Sequence, residues 1–221
     1  MNINLISKAG ALRLRRRKQS FRRAGGLFQT DENKGFWDNV WIVFSRWTWE
    51  SPQTITGMGY SHLQNLMGNV DRVDYLGGAT YVTDENYKGN YPGGITIGSY
   101  ININNEGVIT GNFVDYVLSN PIYMHEYGHT IDSRNYGLSY LFAIGIPSLD
   151  SANGSESLSG PPFSTHRGYW TEKRANYFAK KYFGKYYGVD WNMNYHPSWY
   201  PYEGEWKKDA NGNRYYYYLN F

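Results

Sequence analysis

Residues 120–137 read NPIYMHEYGHTIDSRNYG, and both ends of this stretch carry helix-boundary signals. Asn120 can cap a helix with its side chain, Pro121 suits a first helical turn, and Gly137 is a common C-terminal stop. The stretch therefore predicts a helix of about four turns. Gly128, inside this helix, costs about 1 kcal/mol relative to Ala, which indicates that another part of the chain closely approaches the backbone there.

Inside this predicted helix, His125, Glu126 and His129 form an HExxH motif. Side chains four residues apart lie on one helix face, so the two imidazoles can bind one metal ion. Zinc lowers the pKa of a bound water toward neutrality, and the Glu126 carboxylate can accept the proton of that water. We therefore predict one zinc ion per chain, with His125 and His129 as ligands and Glu126 as the catalytic base. The alternative is two surface histidines on an ordinary helix.

A catalytic zinc site needs a third protein ligand and one open position. The chain has no cysteine, and the pattern with a third histidine six residues after the second fails because Asn135 stands there. A second helix is predicted over 169–183, ending at Gly184. Glu172 on this helix is the preferred third ligand. His166, in the loop before it, is the rival ligand or a catalytic hydrogen-bond donor in the transition state.

The pairing of HEYGH (125–129) with a downstream helix reading WTEKRANYFA (170–179) resembles the gluzincin class of zinc metallopeptidases. In that class a glutamate from a second helix, often in an ExxA or ExxxD setting, completes the metal site. The segments HEYGHTIDS, GIPSL and WTEKRAN are also similar to a group of uncharacterised bacterial proteins assigned as peptidases. The commonest membrane-bound relatives carry an Asp after the Ala of this helix, and here Asn176 stands in its place.

The resemblance implies a zincin-like α+β domain. In such a domain a small, mostly antiparallel sheet packs on the HExxH helix and on a second, ligand-bearing helix. The edge strand, expected within residues 93–103, would bind a protein or peptide substrate in extended form. Asp132 would orient a ligand imidazole from the same helix face, or would be an ordinary surface residue. The implied activity is zinc-dependent hydrolysis of amide bonds.

Three other functions remain open, one of them a polyanion-binding protein driven by the basic residues 8–23, whose binding would depend steeply on salt. The chain can be a non-catalytic interaction module in which His166 joins the three other ligands and closes a structural zinc site. It can also be a highly selective secreted effector or toxin protease, with the basic N-terminal segment belonging to its delivery. The number of protein ligands on the metal distinguishes the non-catalytic module from a catalytic site.

Other patterns predict further helices and a small sheet. Residues 36–50 place apolar side chains at helical spacing with one aromatic face. We expect the many aromatic residues of the chain to form an aromatic-rich core, and the alternative is rings half-buried at the surface. Pro52 is expected to end the helix over 36–50. The remaining predicted elements are a shorter helix over 60–67, paired strands within 70–83 and 95–103, and a hairpin over 204–218.

Charge is unevenly distributed along the chain. Residues 1–34 hold nine Lys and Arg against two acids, in a chain of net charge +3. We predict that 1–34 form a basic, disordered leader able to contact anionic surfaces, followed by one domain over 35–221. No zinc-finger spacing or phosphate-binding glycine loop is visible, so no specific nucleic-acid partner is expected. No secretory signal or membrane-spanning run is visible either, which favours a cytoplasmic location by default.

Overall fold

The computed structural model describes residues 3–89, 93–152, 169–191, 204–208 and 214–218, with side chains described within the first three ranges from residue 14 onward. It has an α+β architecture with mostly helices and a small mixed sheet. The chain forms two compact units, Met1–Tyr116 and Val117–Phe221. The first contains α1 (Ile3–Gly25), α2 (Phe36–Trp47), α3 (Ser51–Met67), β1 (Arg72–Leu76), β2 (Ala79–Asp84), β3 (Gly93–Ile97) and β4 (Tyr100–Asn104). The following elements are α4 (Phe113–Ser119), which crosses the boundary, then α5 (Pro121–Tyr136), α6 (Ile146–Ala152), α7 (Trp170–Tyr187), β5 (Gly204–Lys208) and β6 (Arg214–Tyr218).

Four strands of the first unit form a sheet in the order β1-β2-β4-β3. β1 and β2 form one antiparallel hairpin and β3 and β4 another, which confirms the paired strands predicted within 70–83 and 95–103. The first hairpin turns at Gly77 and Gly78, whose φ angles of 59° and 81° strongly favour glycine. β2 and β4 are each the second strand of a hairpin, and they pair in parallel. This four-stranded sheet is therefore mixed: two of its three pairings are antiparallel, as expected, and the central one is parallel.

The core of the first unit lies on the central strands. Tyr81, Tyr100 and Ile101 of β2 and β4 are fully buried. Helix α3 approaches the sheet closely at Gly57, where an added Cβ would overlap the backbone carbonyl oxygen of Ile97 in β3. The missing side chain of this glycine thus sets the distance between α3 and the sheet edge.

The N-terminal segment 1–34 is largely helical, which corrects the prediction of a disordered leader. Gln19 and Arg23, one turn apart on α1, are buried. The Gln19 amide donates to the backbone carbonyl of Asp71 at 2.9 Å, and the carbonyl of Arg23 accepts from the Tyr100 hydroxyl at 2.6 Å. The prediction considered only the charge of the segment. The long-range contacts of Gln19 and Arg23 attach α1 to the sheet.

Pro52 begins a helix, contrary to the prediction that it ends one. Helix α2 ends at Trp47, and Pro52 lies in the first turn of α3, which starts at Ser51. Proline suits this position because the N–H that it lacks would have no acceptor within the first turn. The helix predicted over 60–67 is thus only the C-terminal half of a longer one.

Helix α2 exposes its aromatic face to solvent. Its inward side carries Ile42, Ser45 and Arg46, which are buried. The exposed aromatic side chains of α2 are Phe36, Trp37, Trp41, Phe44 and Trp47. The expectation of an aromatic-rich core is therefore wrong for this helix.

The second unit is organised around the packing of α5 against α7. Gly128 of α5 faces the backbone of Ala175 of α7 so closely that an added Cβ would overlap the Ala175 carbonyl. The close approach inferred from this helical glycine is therefore present. Beside it, the Tyr127 ring packs on Tyr182 and Phe183, with centroid distances of 4.4 and 5.3 Å.

The C-terminal hairpin predicted over 204–218 is confirmed, since β5 and β6 pair antiparallel. Within the described part of the chain, no helix combines the length and the apolar character that a membrane-spanning segment requires.

Candidate metal centre

The helix predicted around the HExxH motif is present as α5, and its N-terminal cap acts as expected. The Asn120 side chain accepts a hydrogen bond from the backbone N–H of Ile122 at 3.1 Å. Because α5 packs on α7, its motif side chains His125, Glu126 and His129 are all buried. The alternative of two surface histidines on an ordinary helix is therefore wrong.

Glu172 lies in the first turn of α7 and joins the two histidines. Its Oε2 lies 3.0 Å from Nε2 of His125 and 3.3 Å from Nε2 of His129. The three side chains are buried, and their potential ligand atoms all lie within 4.8 Å of one another. The structure thus brings together the three residues predicted as ligands. His166, the rival, lies outside the described residues.

The second carboxylate oxygen of Glu172 is held by two hydroxyls that the sequence interpretation missed. Its Oε1 accepts hydrogen bonds from Ser148 at 2.7 Å and from Thr171 at 2.8 Å. These bonds orient the carboxylate so that Oε2 faces the histidines. The available signals were the position of Ser148 in the segment GIPSL and of Thr171 next to Glu172, and neither indicates a contact by itself.

Asn176, one turn after Glu172 on α7, orients the first histidine. Its side-chain oxygen lies 2.8 Å from Nδ1 of His125. An amide oxygen only accepts hydrogen bonds, so the Nδ1–H of His125 donates to Asn176 and Nε2 is the nitrogen that faces Glu172. Asn176 therefore holds the Nδ1 side of the His125 ring.

Asp132 is fully buried, so the alternative of a surface residue is wrong. Its Oδ1 accepts hydrogen bonds from Arg174 of α7 at 2.7 and 3.1 Å. Burial raises the pKa of Asp132, against the opposing effect of this guanidinium. Among the described residues, neither Asp132 Oδ2 nor His129 Nδ1 has a hydrogen-bond partner. Asp132 therefore ties α5 to α7, and the predicted hydrogen bond to a ligand imidazole is not formed.

The ionisation of the cluster is set by opposing effects. Burial acts to raise the pKa of the Glu172 carboxyl, but the charge of His129 and hydrogen bonds from both histidines hold it well below its usual range. Burial acts to lower the pKa of His129, but the charge and hydrogen bond of Glu172, with smaller effects of Glu126 and Asp132, raise it to about 9. Without a metal, the cluster thus holds a protonated imidazole against a carboxylate.

The residues present fit a zinc ion. Two imidazole nitrogens and a carboxylate oxygen are typical zinc ligands, and the three ligands among the described residues are as many as a catalytic zinc site normally takes from the protein. The carboxylates of Glu126 and Asp132 stand near the same histidine and contribute to its raised pKa. The buried group is therefore rich in negative charge, which a divalent cation neutralises better than a single proton.

Comparisons with known proteins give no relative for this chain. No family model matches it, and no match was found among curated proteins or among solved structures.

Proposed function

We propose that this chain is a zinc-dependent hydrolase with a zincin-like site, and that it acts as a peptidase on proteins or peptides. The observation that carries the proposal is the buried convergence of His125, His129 and Glu172 beside Glu126. Three protein ligands with an open fourth position are typical of catalytic zinc, whereas structural zinc is normally closed by four.

Three residues would bind the zinc, and Asn176 orients one of them. His125, His129 and Glu172 would hold the zinc, which when bound polarises a substrate carbonyl and lowers the pKa of water. Asn176 accepts the Nδ1 proton of His125, which keeps the Nε2 lone pair directed at the metal position. The imidazole therefore needs no reorientation when the ion binds.

Glu126 acts as the general base in the proposed reaction. Its carboxylate accepts a proton from the attacking water and delivers it to the amine nitrogen that leaves, so the residue is regenerated in each cycle. Ser148 and Thr171 hold the second oxygen of Glu172, which keeps that carboxylate in the role of ligand. The two glutamates of the site thus have separate tasks.

The test compares the wild type with Glu126→Gln and with the matched control Glu106→Gln, an exposed glutamate of the first unit. The zinc content is measured by elemental analysis. Hydrolysis is measured with an unbiased peptide library. We expect one zinc per chain in all three proteins. We expect cleavage to fall at least about a hundredfold in Glu126→Gln only, because proton transfer typically contributes that much.

Other outcomes assign the chain differently. Zinc in every variant with no cleavage in any would favour the non-catalytic zinc module or a protease that acts on a single protein. X-ray absorption distinguishes these two, because a non-catalytic zinc module would require a fourth protein ligand on the metal, such as His166. A chain that binds no zinc would contradict the proposal.

A further inference from the structure

Helix α2 presents an aromatic surface to solvent. Five of its aromatic side chains, Phe36, Trp37, Trp41, Phe44 and Trp47, are between 51% and 79% exposed. They recur at helical spacing and form one face, and the Trp41 ring lies 4.6 Å from the tilted ring of Trp49, which follows the helix. Large contiguous apolar patches are rare on monomeric proteins and mark interaction sites.

The opposite face of α2 is fixed inward by polar contacts. Arg46 is buried and donates hydrogen bonds to the backbone carbonyls of Gln29 at 2.6 Å and Gly26 at 3.1 Å, and also to the carbonyl of Gly78. Ser45, next to it, donates to Glu50 at 2.9 Å. Rotating α2 to bury its rings would break these buried bonds, so the exposed face belongs to the folded state.

Helix α1 extends this surface and adds positive charge. Leu14 and Phe21 of α1, and Phe28 in the short helical turn that follows it, are each 63–69% exposed. The Phe28 ring lies 5.6 Å from the Trp47 ring of α2. The basic side chains beside this stripe, Arg17 and Lys18, are exposed. We call the exposed residues of α1 and α2 together the aromatic–basic surface.

We propose that the aromatic–basic surface binds the face of an anionic lipid bilayer, with both helices lying in its interfacial layer. Trp and Phe on one face with Lys and Arg beside them are the features of helices that lie on membranes, and Trp rings favour the headgroup region. Within residues 14–47 the acids are Asp31, which is buried, Glu32 and Asp38, so positive charge predominates.

A second copy of this chain fits the surface less well. A symmetric contact through the same face would bring Arg17 and Lys18 of one copy toward those of the other, and like charges at an interface are unfavourable. Anionic headgroups instead neutralise each of these side chains, contributing about a fivefold gain in binding per charge. The proposal is independent of zinc chemistry, since every residue it uses lies in the first unit.

The test uses the full-length chain and vesicles of phosphatidylcholine alone or mixed with phosphatidylglycerol. Binding is measured by cosedimentation, and insertion by quenching of Trp fluorescence with brominated lipid. Two double variants change exposed residues only, Phe36→Ser with Trp37→Ser and Arg17→Gln with Lys18→Gln. The matched control is Phe142→Ser, an exposed aromatic of the second unit. Circular dichroism verifies that each variant is folded.

We expect the wild type and Phe142→Ser to bind the phosphatidylglycerol vesicles and to be released by salt. Each double variant should bind at least about tenfold more weakly, because two charges at about fivefold each already amount to about 25-fold. Three results would overturn the proposal: no vesicle binding by the wild type, binding that neither double variant weakens, or a self-associating wild type that Phe36→Ser with Trp37→Ser converts to monomer without any lipid effect.

Discussion

Asn176 is the residue whose role follows most directly from a single distance, the 2.8 Å between its side-chain oxygen and Nδ1 of His125. We expect Asn176→Leu to weaken zinc binding about 10- to 100-fold, because His125 would lose the acceptor that fixes its tautomer. Asn176→Asp should retain affinity, since a carboxylate also accepts this proton. Competition with a chromophoric chelator measures the change. The exposed Lys181→Gln on the same helix is the control, and equal affinities in Asn176→Leu and this control would contradict the role.

Protons and zinc compete for His129. Because neighbouring carboxylates outweigh burial and raise its pKa to about 9, the metal-free imidazole is protonated at neutral pH. Zinc must displace that proton, so we expect zinc affinity to rise with pH and to level off near the same value. Calorimetry in buffers of different ionisation enthalpy should detect the released proton. An affinity that is flat between neutral pH and pH 9 would contradict this competition between the proton and zinc.

The raised pKa of His129 also affects the stability of the metal-free protein, which should fall as pH rises, whereas zinc affinity should increase. A raised pKa means that the folded chain binds the proton more tightly than the unfolded chain does. The pairing of His129 with Glu172 therefore stabilises fully below the ordinary histidine pKa of 6.5, and this contribution is lost as pH rises through about 9. Denaturation of the chelator-treated chain at pH values from 6.5 to about 9 measures this loss of stability independently of zinc binding.

At the scale of elements, the contact between α5 and α7 depends on Gly128. Its replacement by Ala would place a methyl group onto the Ala175 carbonyl, so the helices must separate. We expect Gly128→Ala to lower the free energy of unfolding by more than about 2 kcal/mol, despite the better helix propensity of Ala. Urea denaturation measures this, and zinc affinity should fall as well because the ligands sit on both helices.

Gly184, inside α7, is the matched control for this substitution. An added Cβ there would lie 3.5 Å from the nearest atom, the Val189 carbonyl oxygen, which is ordinary contact. Gly184→Ala should therefore be neutral or stabilise the chain by up to about 1 kcal/mol. Similar effects of the two substitutions would mean that the close approach of α5 and α7 is not what Gly128 provides.

At the scale of the whole molecule, the candidate site belongs to one of the two units. Its three ligands, and the supporting residues Ser148, Thr171 and Asn176, all lie within Val117–Phe221. We expect removal of zinc to increase amide hydrogen exchange in α5 and α7 while leaving β1–β4 unchanged. At a thousandfold excess over its dissociation constant, zinc should stabilise the unit it binds by about 4 kcal/mol. In the control Glu172→Gln, which lacks one ligand, adding zinc should have less effect on exchange. Equal protection of both units by zinc in the wild type would contradict a local site.

The sequence determined those features whose causes are local. The cap at Asn120 and the stop at Gly137 bound one helix, because capping bonds join residues only a few positions apart. Inside that helix, the spacing of His125 and His129 places both imidazoles on one face. The hairpins of the sheet also follow from short turns. For these elements, short-range geometry leaves little choice.

Only the tertiary structure decided which partners meet across the chain. Asn176 lies 51 positions from His125 and Ser148 lies 24 positions from Glu172, and no local pattern brings either pair together. The parallel pairing of β2 with β4, the attachment of α1 to the sheet and the outward aromatic face of α2 have the same origin. Each depends on the balance of burial and hydrogen bonding between distant segments, which a local pattern of residues does not specify.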